Sequence, residues 1–172
     1  MKKLLILGAG GYGRTIADIA RQLGCYQKIA FLDDGKAGTP GVLGTCEDFL
    51  QFADETTEMY PAFGNNTVRM GWLERFEDHG IRVPVMVHPS AYVSPLATLY
   101  AGVTVLPKAV VNTGTVVKNG CIVNIGVLID HDCVLEEGCH LAPGVVIKAE
   151  NRIPAGMKIE AGTVIENRQY PL

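Results

Sequence analysis

The sequence lacks long hydrophobic runs and a basic charge excess, and each absence excludes a class of protein. A membrane-spanning helix needs about 18–20 consecutive apolar residues, and the chain contains no such run. The net charge of −3 argues against a nucleic-acid-binding protein, which would need a basic face. The apolar start over residues 2–7 is too short for a signal peptide, and the glycines after it are typical of a turn.

The chain also lacks paired cysteine motifs. Its five cysteines are odd in number, and none belongs to a CxxC pair. This argues against a zinc site and against a secreted disulfide framework, so we expect a cytoplasmic protein without a metal. Because 48% of the residues are hydrophobic and only 19% are charged, the side chains for a packed core are present.

The first half of the chain, residues 1–86, alternates strand-like and helix-like patterns. Apolar runs and helical periodicity predict strands and helices in the order 2–7 (strand), 16–23 (helix), 29–32 (strand), 46–53 (helix), 60–63 (strand) and 67–79 (helix). A βαβαβα order predicts a parallel sheet with helices on its faces, a Rossmann-like α/β domain.

The second half, residues 87–172, has a repeat of six residues. Thirteen positions spaced by six are all Val, Leu or Ile: Val93, Leu99, Val105, Val111, Val117, Val123, Ile129, Leu135, Leu141, Ile147, Ile153, Ile159 and Ile165. Glycine stands three residues before eight of them. A period of six fits neither a helix nor a lone strand, but it fits a solenoid whose short sides are separated by turns. A β-sandwich, with less regular turns about 8–12 residues apart, fits less well.

These hexads resemble the hexapeptide-repeat acyltransferases, which form a left-handed parallel β-helix with three hexads per coil. Further motifs are similar to one branch of that family: Gly8 to Gly13, Phe31-Leu32-Asp33-Asp34, Gly64-Asn65-Asn66 with Arg69, His88 to Ala91, Asn124, and Asp130 to Cys133. The branch contains bacterial sugar acetyltransferases of surface-glycan pathways, including UDP-4-amino-sugar N-acetyltransferases and sialic acid O-acetyltransferases. The resemblance therefore implies an acetyl-CoA-dependent enzyme without a metal, acting as a homotrimer.

A glycine-rich turn marks a predicted nucleotide site in the first half. The pattern Gly8-x-Gly10-x-x-Gly13 follows a strand and opens a helix, where backbone N–H groups can bind a phosphate. Asp33 lies twenty residues beyond Gly13, at the place of a ribose acceptor in dinucleotide folds, so this motif alone would suggest NAD. The resemblance implies a UDP-sugar instead. The predicted substrate-binding residues are Gly8, Gly10, Gly11, Tyr12, Gly13, Asp33, Asp34, Gly64, Asn65, Asn66, Arg69 and Asn124.

The segment Asp130-His131-Asp132 holds the predicted catalytic residues. Acyl transfer to an amine or hydroxyl needs a base near neutral pKa, which histidine supplies. Neighbours in an extended segment point to opposite faces, so His131 and Asp132 can meet only if the chain turns between them. From spacing alone, a catalytic and a solvated histidine are equally good interpretations. The resemblance assigns the base to His131 and the orienting carboxylate to Asp132.

The resemblance also implies a coenzyme A site in the repeat. The predicted donor-binding residues are His140, Gly144, Ala149, Ala161 and Gly162, and the backbone N–H of Ala149 is expected to stabilise the oxyanion. A carbonic anhydrase on the same solenoid would need three histidines on one zinc, but only His131 and His140 lie inside the repeat. Cys121, Cys133 and Cys139 each stand two residues before an aliphatic position of the repeat, where small residues recur, and are interpreted as inert core thiols.

The residues leave two alternatives open. The acceptor could be a hydroxyl of a sialic-acid-type sugar rather than the amine of a UDP-linked deoxysugar. A protein that binds a nucleotide sugar without catalysis is a third hypothesis, because the glycine-rich turn would serve it equally well.

Overall fold

The computed structural model describes residues 2–36 and 38–172. These residues form two compact units, the first ending at Pro84 and the second spanning Val85–Leu172.

The first unit is a small α/β fold around a three-stranded parallel sheet. Its elements in chain order are β1 (Lys2–Leu7), α1 (Gly11–Leu23), β2 (Tyr26–Leu32), a 3₁₀ helix (Cys46–Phe52), β3 (Thr57–Pro61) and α2 (Asn66–Asp78). The strand order is β2-β1-β3, with β1 parallel to both neighbours. The central strand β1 is entirely apolar after Lys3. Its residues Leu4, Leu5, Ile6 and Leu7 are all buried, as is typical of the middle strand of a parallel sheet.

Strand β3 starts three residues before the predicted 60–63 and ends two residues earlier. Its first residues, Thr57 and Glu58, are polar but buried. Glu58 is satisfied there, because its carboxylate accepts a hydrogen bond from the Tyr26 hydroxyl at 2.7 Å and pairs with Lys2. A hydropathy pattern cannot anticipate such a pairing between distant residues.

The second unit consists of two-residue strands spaced by six residues. They are β4 (Met86–Val87), β5 (Tyr92–Val93), β6 (Thr98–Leu99), β7 (Thr104–Val105), β8 (Val110–Val111), β9 (Val116–Val117), β10 (Ile122–Val123), β11 (Leu128–Ile129), β12 (Val134–Leu135), β13 (His140–Leu141), β14 (Val146–Ile147), β15 (Arg152–Ile153), β16 (Lys158–Ile159) and β17 (Val164–Ile165).

Strands β4 to β14 each pair in parallel with the strand three places on, so that residues eighteen apart are partners, as Ile129 is with Ile147. Three sheets result, with the orders β16-β13-β10-β7-β4, β17-β14-β11-β8-β5 and β15-β12-β9-β6. We call them the first, second and third sheet. This is the predicted left-handed parallel β-helix. The aliphatic residues of the hexads fill its interior, together with Cys121, Cys133 and Cys139.

The corners of the β-helix use left-handed backbone conformations. From position 102 onward, every sixth residue has a positive φ, and most of these residues are glycines. Four are not: Lys108, Asp132, Glu150 and Arg168. Three of the four are spaced by eighteen residues, so Asp132, Glu150 and Arg168 lie at the same corner of successive coils. Non-glycine residues are uncommon in this conformation, which draws attention to that corner.

Candidate active site

His131 and Asp132 lie at the corner between the second and third sheets. Strand β11 ends at Ile129 and β12 begins at Val134, and Asp132 between them adopts a φ of 57°. This conformation turns the chain, so the two neighbouring side chains meet: His131 Nδ1 and Asp132 Oδ2 are 2.8 Å apart. Both side chains are open to solvent, with exposed fractions of 45% and 59%. The turn that the sequence analysis required is therefore present.

The charges around His131 stabilise its protonated form. The hydrogen bond to Asp132 raises the pKa of His131 above its usual value, and the negative charges of Asp130, Asp132 and Glu150 act in the same direction. A carboxylate only accepts hydrogen bonds, so Nδ1 carries the proton of the neutral ring and Nε2 carries the lone pair. The pair is thus arranged to accept a proton at Nε2 and to stabilise the imidazolium that forms.

Asp130 holds the backbone of His131 and is itself bonded to residues of the preceding coil. Asp130 Oδ1 accepts a hydrogen bond from the His131 N–H at 2.7 Å and another from Asn112 Nδ2 at 3.2 Å. The Thr115 hydroxyl, which is buried, donates to the Asp130 carbonyl at 2.8 Å. Sequence reasoning did not single out Asn112 or Thr115. Asn112 stands one coil before Asp130, and the eighteen-residue spacing is the signal that would have found it.

Cys133 follows the pair but is not a nucleophile. It is fully buried, and its Sγ donates to the Lys148 carbonyl at 3.3 Å. Burial raises the pKa of this thiol, which disfavours the reactive thiolate.

A second group of predicted residues lies on the first sheet. Asn124 follows β10, and its Nδ2 is 3.3 Å from Nε2 of His140 in β13. The Asn124 side-chain oxygen also accepts from the Ile125 N–H at 2.8 Å. His131 follows a strand of the second sheet. One chain therefore brings Asn124 and His140 together but places them on a different sheet from His131.

The predicted donor-binding residues differ in accessibility. Gly144 and Gly162 lie at one corner on successive coils, with φ values of 71° and 70°, and no heavy atom lies within 4 Å of where a Cβ would be. Ala161 beside them is exposed, so this corner is open. Ala149 is buried, with its side chain 6% exposed. It immediately precedes Glu150, whose N–H donates to the His131 carbonyl at 3.3 Å, so Ala149 lies on the next coil at the corner of His131.

The glycine-rich turn of the first unit borders a cleft of about 450 Å³. The lining residues include seven of those predicted to bind the substrate: Gly8, Gly10, Gly11, Tyr12, Asp33, Gly64 and Asn65. Gly13 lies behind the turn and has a packing role, because a Cβ there would be 1.8 Å from the Gly8 carbonyl oxygen. The helix α1 begins at Gly11, so its N-terminal N–H groups face the turn.

The two aspartates after β2 are engaged in hydrogen bonds with the backbone. Asp33 accepts from the Ala9 N–H at 2.7 Å and the Gly35 N–H at 3.0 Å, which ties the end of β2 to the glycine-rich turn. Asp34 accepts from the Cys46 N–H at 2.8 Å and so fixes the start of the 3₁₀ helix. Only Asp33 lines the cleft.

Arg69, Asn66 and Asn65 organise the loop before α2. The Arg69 side chain is fully buried and donates to the Phe63 carbonyl and to Asn66 Oδ1, each at 2.8 Å. Asn65 caps the helix, since its side chain accepts from the Val68 N–H at 3.1 Å. Arg69 and Asn66 thus support the wall of the cleft from behind, while Gly64 and Asn65 form it.

Both units have counterparts in known proteins. Residues 3–76 match the PglD N-terminal domain family. The acetyltransferase domain of PglB from Neisseria gonorrhoeae is 37% identical, with a TM-score of 0.93 over 98% of this chain and 84% of that one. The same domain is also known in complex with acetyl coenzyme A, at the same identity and TM-score. PerB from Caulobacter crescentus, in complex with CoA and GDP-perosamine, is 26% identical over 97% of this chain, with a TM-score of 0.85.

The chain belongs to the hexapeptide-repeat sugar acetyltransferases. The family and the fold class predicted from the sequence are confirmed, and so is the prediction of an enzyme. Within residues 2–36 and 38–172 of this acetyltransferase, no group of three or more His, Cys, Asp or Glu side chains could hold a metal ion. Over the same residues, none of the helices has the length and apolarity needed to cross a membrane.

Proposed function

We propose that this acetyltransferase moves the acetyl group of acetyl-CoA to the amine of a UDP-linked amino-deoxysugar used in surface-glycan biosynthesis. The observation that carries the proposal is the His131–Asp132 pair on an open corner of a β-helix. It occurs in a chain 37% identical to an acetyltransferase domain known with acetyl-CoA. The structurally similar protein PerB is known in complex with CoA and a nucleotide-linked sugar, GDP-perosamine, which supports a nucleotide-sugar acceptor here.

In the proposed reaction, the neutral sugar amine attacks the thioester carbonyl, and His131 Nε2 takes a proton from the nitrogen as the new C–N bond forms. The tetrahedral intermediate then collapses, the C–S bond breaks, and the proton on His131 passes to the departing CoA thiolate. Asp132 keeps Nδ1 protonated and stabilises the imidazolium between these steps. The backbone N–H of Ala149 is the proposed oxyanion donor. Transfer is direct, which agrees with a buried Cys133.

The nucleotide is assigned to the cleft of the first unit. Its diphosphate would lie against the N–H groups of Gly10 and Gly11 at the start of α1, where the helix dipole favours an anion. Asp33, on the wall of the cleft, would bind the uridine. In this proposal the first unit binds the nucleotide and the second unit carries the chemistry.

We propose that the active site is completed between copies in a homotrimer. His131 lies on one sheet, whereas Asn124, His140 and the open corner at Gly144 lie on or beside another, so one chain does not assemble them. The second sheet also presents an apolar outer stripe formed by Tyr92, Val110, Leu128, Val146 and Val164. Tyr92, Leu128 and Val164 are about half exposed in the single chain. Covering this stripe with a second copy would bring a partner next to His131.

A substrate panel tests the function. Release of free CoA thiol is followed with acetyl-CoA and, in turn, a UDP-linked 4-amino sugar, a GDP-linked 4-amino sugar and a free sialic acid. We expect turnover with the UDP-linked amine, with mass spectrometry showing one acetyl group on nitrogen. Preference for the GDP-linked sugar would overturn the assignment of the nucleotide, and preference for sialic acid would overturn the assignment of the amine. Nucleotide-sugar binding without turnover would identify a binding protein.

A further inference from the structure

Gly114 lies directly beneath the Asp132 carboxylate, one coil earlier at the same corner. The two positions are eighteen residues apart, and the Asp132 N–H donates to the Thr113 carbonyl at 3.0 Å. A Cβ built on Gly114 would stand 2.3 Å from Asp132 Oδ1 and 3.3 Å from Asp132 Cγ. The side-chain carboxylate therefore occupies the space that any other residue at position 114 would need.

The clash falls on the catalytic contact rather than on the backbone. The nearest backbone atom to the built Cβ is the Asp132 nitrogen, at 3.6 Å, which is ordinary van der Waals contact. Relief would come from rotating the Asp132 carboxylate away from Gly114. Since Oδ1 lies over Gly114 and Oδ2 is bonded to His131 Nδ1, the same rotation pulls Oδ2 from the histidine.

We propose that Gly114 is a positioning residue for catalysis. Because glycine has no side chain, the Asp132 carboxylate can occupy the space beside it and hold the His131 ring from there. The proposal rests on the role of His131 stated above, and it adds a residue that acts on the histidine through Asp132. Four other corner glycines differ from Gly114, because Gly126, Gly144, Gly156 and Gly162 have no heavy atom within 4 Å of a built Cβ.

The charged groups that act on His131 make the effect measurable. They are Asp132, through its hydrogen bond and its charge, and Asp130 and Glu150 through their charges. Glu150 is itself paired with Arg168. Asp130 is held by Asn112 and the His131 N–H, so neither it nor Glu150 depends on Gly114. Moving the Asp132 carboxylate alone would lower the pKa of His131.

Gly156 supplies a matched control. It has a φ of 68°, against 69° for Gly114, so alanine brings the same backbone strain at either position, but nothing lies where its Cβ would be. The experiment compares Gly114→Ala with Gly156→Ala in three measurements: melting temperature, kcat and KM, and the His131 pKa from an NMR titration of the histidine ring protons. The titration reports on the ring even if His131 proves not to be the base.

We expect both variants to lose similar melting temperature, and only Gly114→Ala to lower kcat, on the order of 10²-fold, with KM little changed. The His131 pKa should fall in Gly114→Ala and stay at the wild-type value in Gly156→Ala. An unchanged His131 pKa and kcat in Gly114→Ala would overturn the proposal. A fall in the His131 pKa with unchanged kcat in Gly114→Ala would instead show that Gly114 positions the pair but that the pair is not catalytic.

Two further variants test the proposal if Gly114→Ala folds poorly. Gly114→Asn carries the same Cβ with less backbone strain, since asparagine tolerates positive φ, and it should show the same fall in pKa. In Gly114→Ala/Asp132→Gly the clashing carboxylate is gone, so this double variant should fold at least as well as Gly114→Ala. If it folds no better than an unfolded Gly114→Ala, the space at position 114 is not reserved for the carboxylate and the proposal is wrong.

Discussion

His131 Nδ1 and Asp132 Oδ2 lie 2.8 Å apart although the two residues are neighbours in a chain of β-strands. Successive side chains of a strand point to opposite faces, so such a contact requires a residue that leaves the extended conformation. Asp132 does so with a φ of 57°, which aspartate tolerates better than most residues. The corner of the β-helix thus converts a dipeptide into an acid–base pair.

Replacing Asp132 by alanine tests the effect of the Asp132 carboxylate on the pKa of His131. The hydrogen bond to Asp132 raises the pKa of His131, so its loss should lower that pKa. The base is active when Nε2 is unprotonated, and the acid limb of the kcat/KM profile should therefore move to lower pH. We also expect kcat to fall, because the ring is no longer held in one tautomer and orientation. An acid limb that stays in place or moves to higher pH would contradict this assignment.

Replacing Gly13 by alanine tests the packing behind the nucleotide cleft. The new Cβ would stand 1.8 Å from the Gly8 carbonyl, a backbone atom that cannot move aside freely. We expect destabilisation of about 1–3 kcal/mol and weakened nucleotide binding. Gly10→Ala is the comparison for stability, since nothing lies within 4 Å of its Cβ and its φ of −75° suits alanine. The melting temperatures are measured by differential scanning fluorimetry. Equal values for the two variants would refute the packing role.

A charge on the second sheet tests the proposed subunit contact. Leu128 is 45% exposed in the single chain, so Leu128→Asp should leave the fold of one chain intact while disrupting the apolar stripe. We expect analytical ultracentrifugation to show trimers for the wild type and for Leu128→Met, and smaller species with little activity for Leu128→Asp. A fully active trimer of Leu128→Asp would place the contact elsewhere.

Mixing two inactive variants tests whether the site is shared. If His131 comes from one subunit and His140 from the next, coexpressed His131→Ala and His140→Ala chains regain intact sites wherever the two meet in the right order. Random trimers of equal amounts should then recover about a quarter of the wild-type sites. Activity no higher than that of the separate variants would show that each chain carries its own site.

The repeat made the β-helix predictable, because an inward aliphatic residue at every sixth position leaves little freedom for another fold. The aliphatic residues at every sixth position from Val105 to Ile165 are buried as predicted, whereas Val93 and Leu99 on the first coils are only partly buried. In the first unit, the helix predicted over 46–53 is a 3₁₀ helix, Cys46–Phe52, started by a capping box between Thr45 and Asp48.

The site was less predictable because its contacts join residues of successive coils, fifteen or eighteen positions apart in the sequence. Asn112 and Thr115 support Asp130 from the coil before it, and Gly114 lies under Asp132. None of these residues has a distinctive local motif. Arg69 shows the opposite case. The family resemblance placed it among the predicted substrate-binding residues, whereas its guanidinium is buried and bonded to the loop itself.

The role of His131 is the central claim, and the His131→Ala variant tests it most directly. Steady-state acetyl transfer from acetyl-CoA to the UDP-linked amino sugar is measured beside nucleotide-sugar affinity by calorimetry. We predict a fall in kcat of about 10²–10⁴-fold with unchanged affinity, as expected for loss of a general base on the β-helix. Turnover within a few-fold of the wild type in a folded variant would contradict the account.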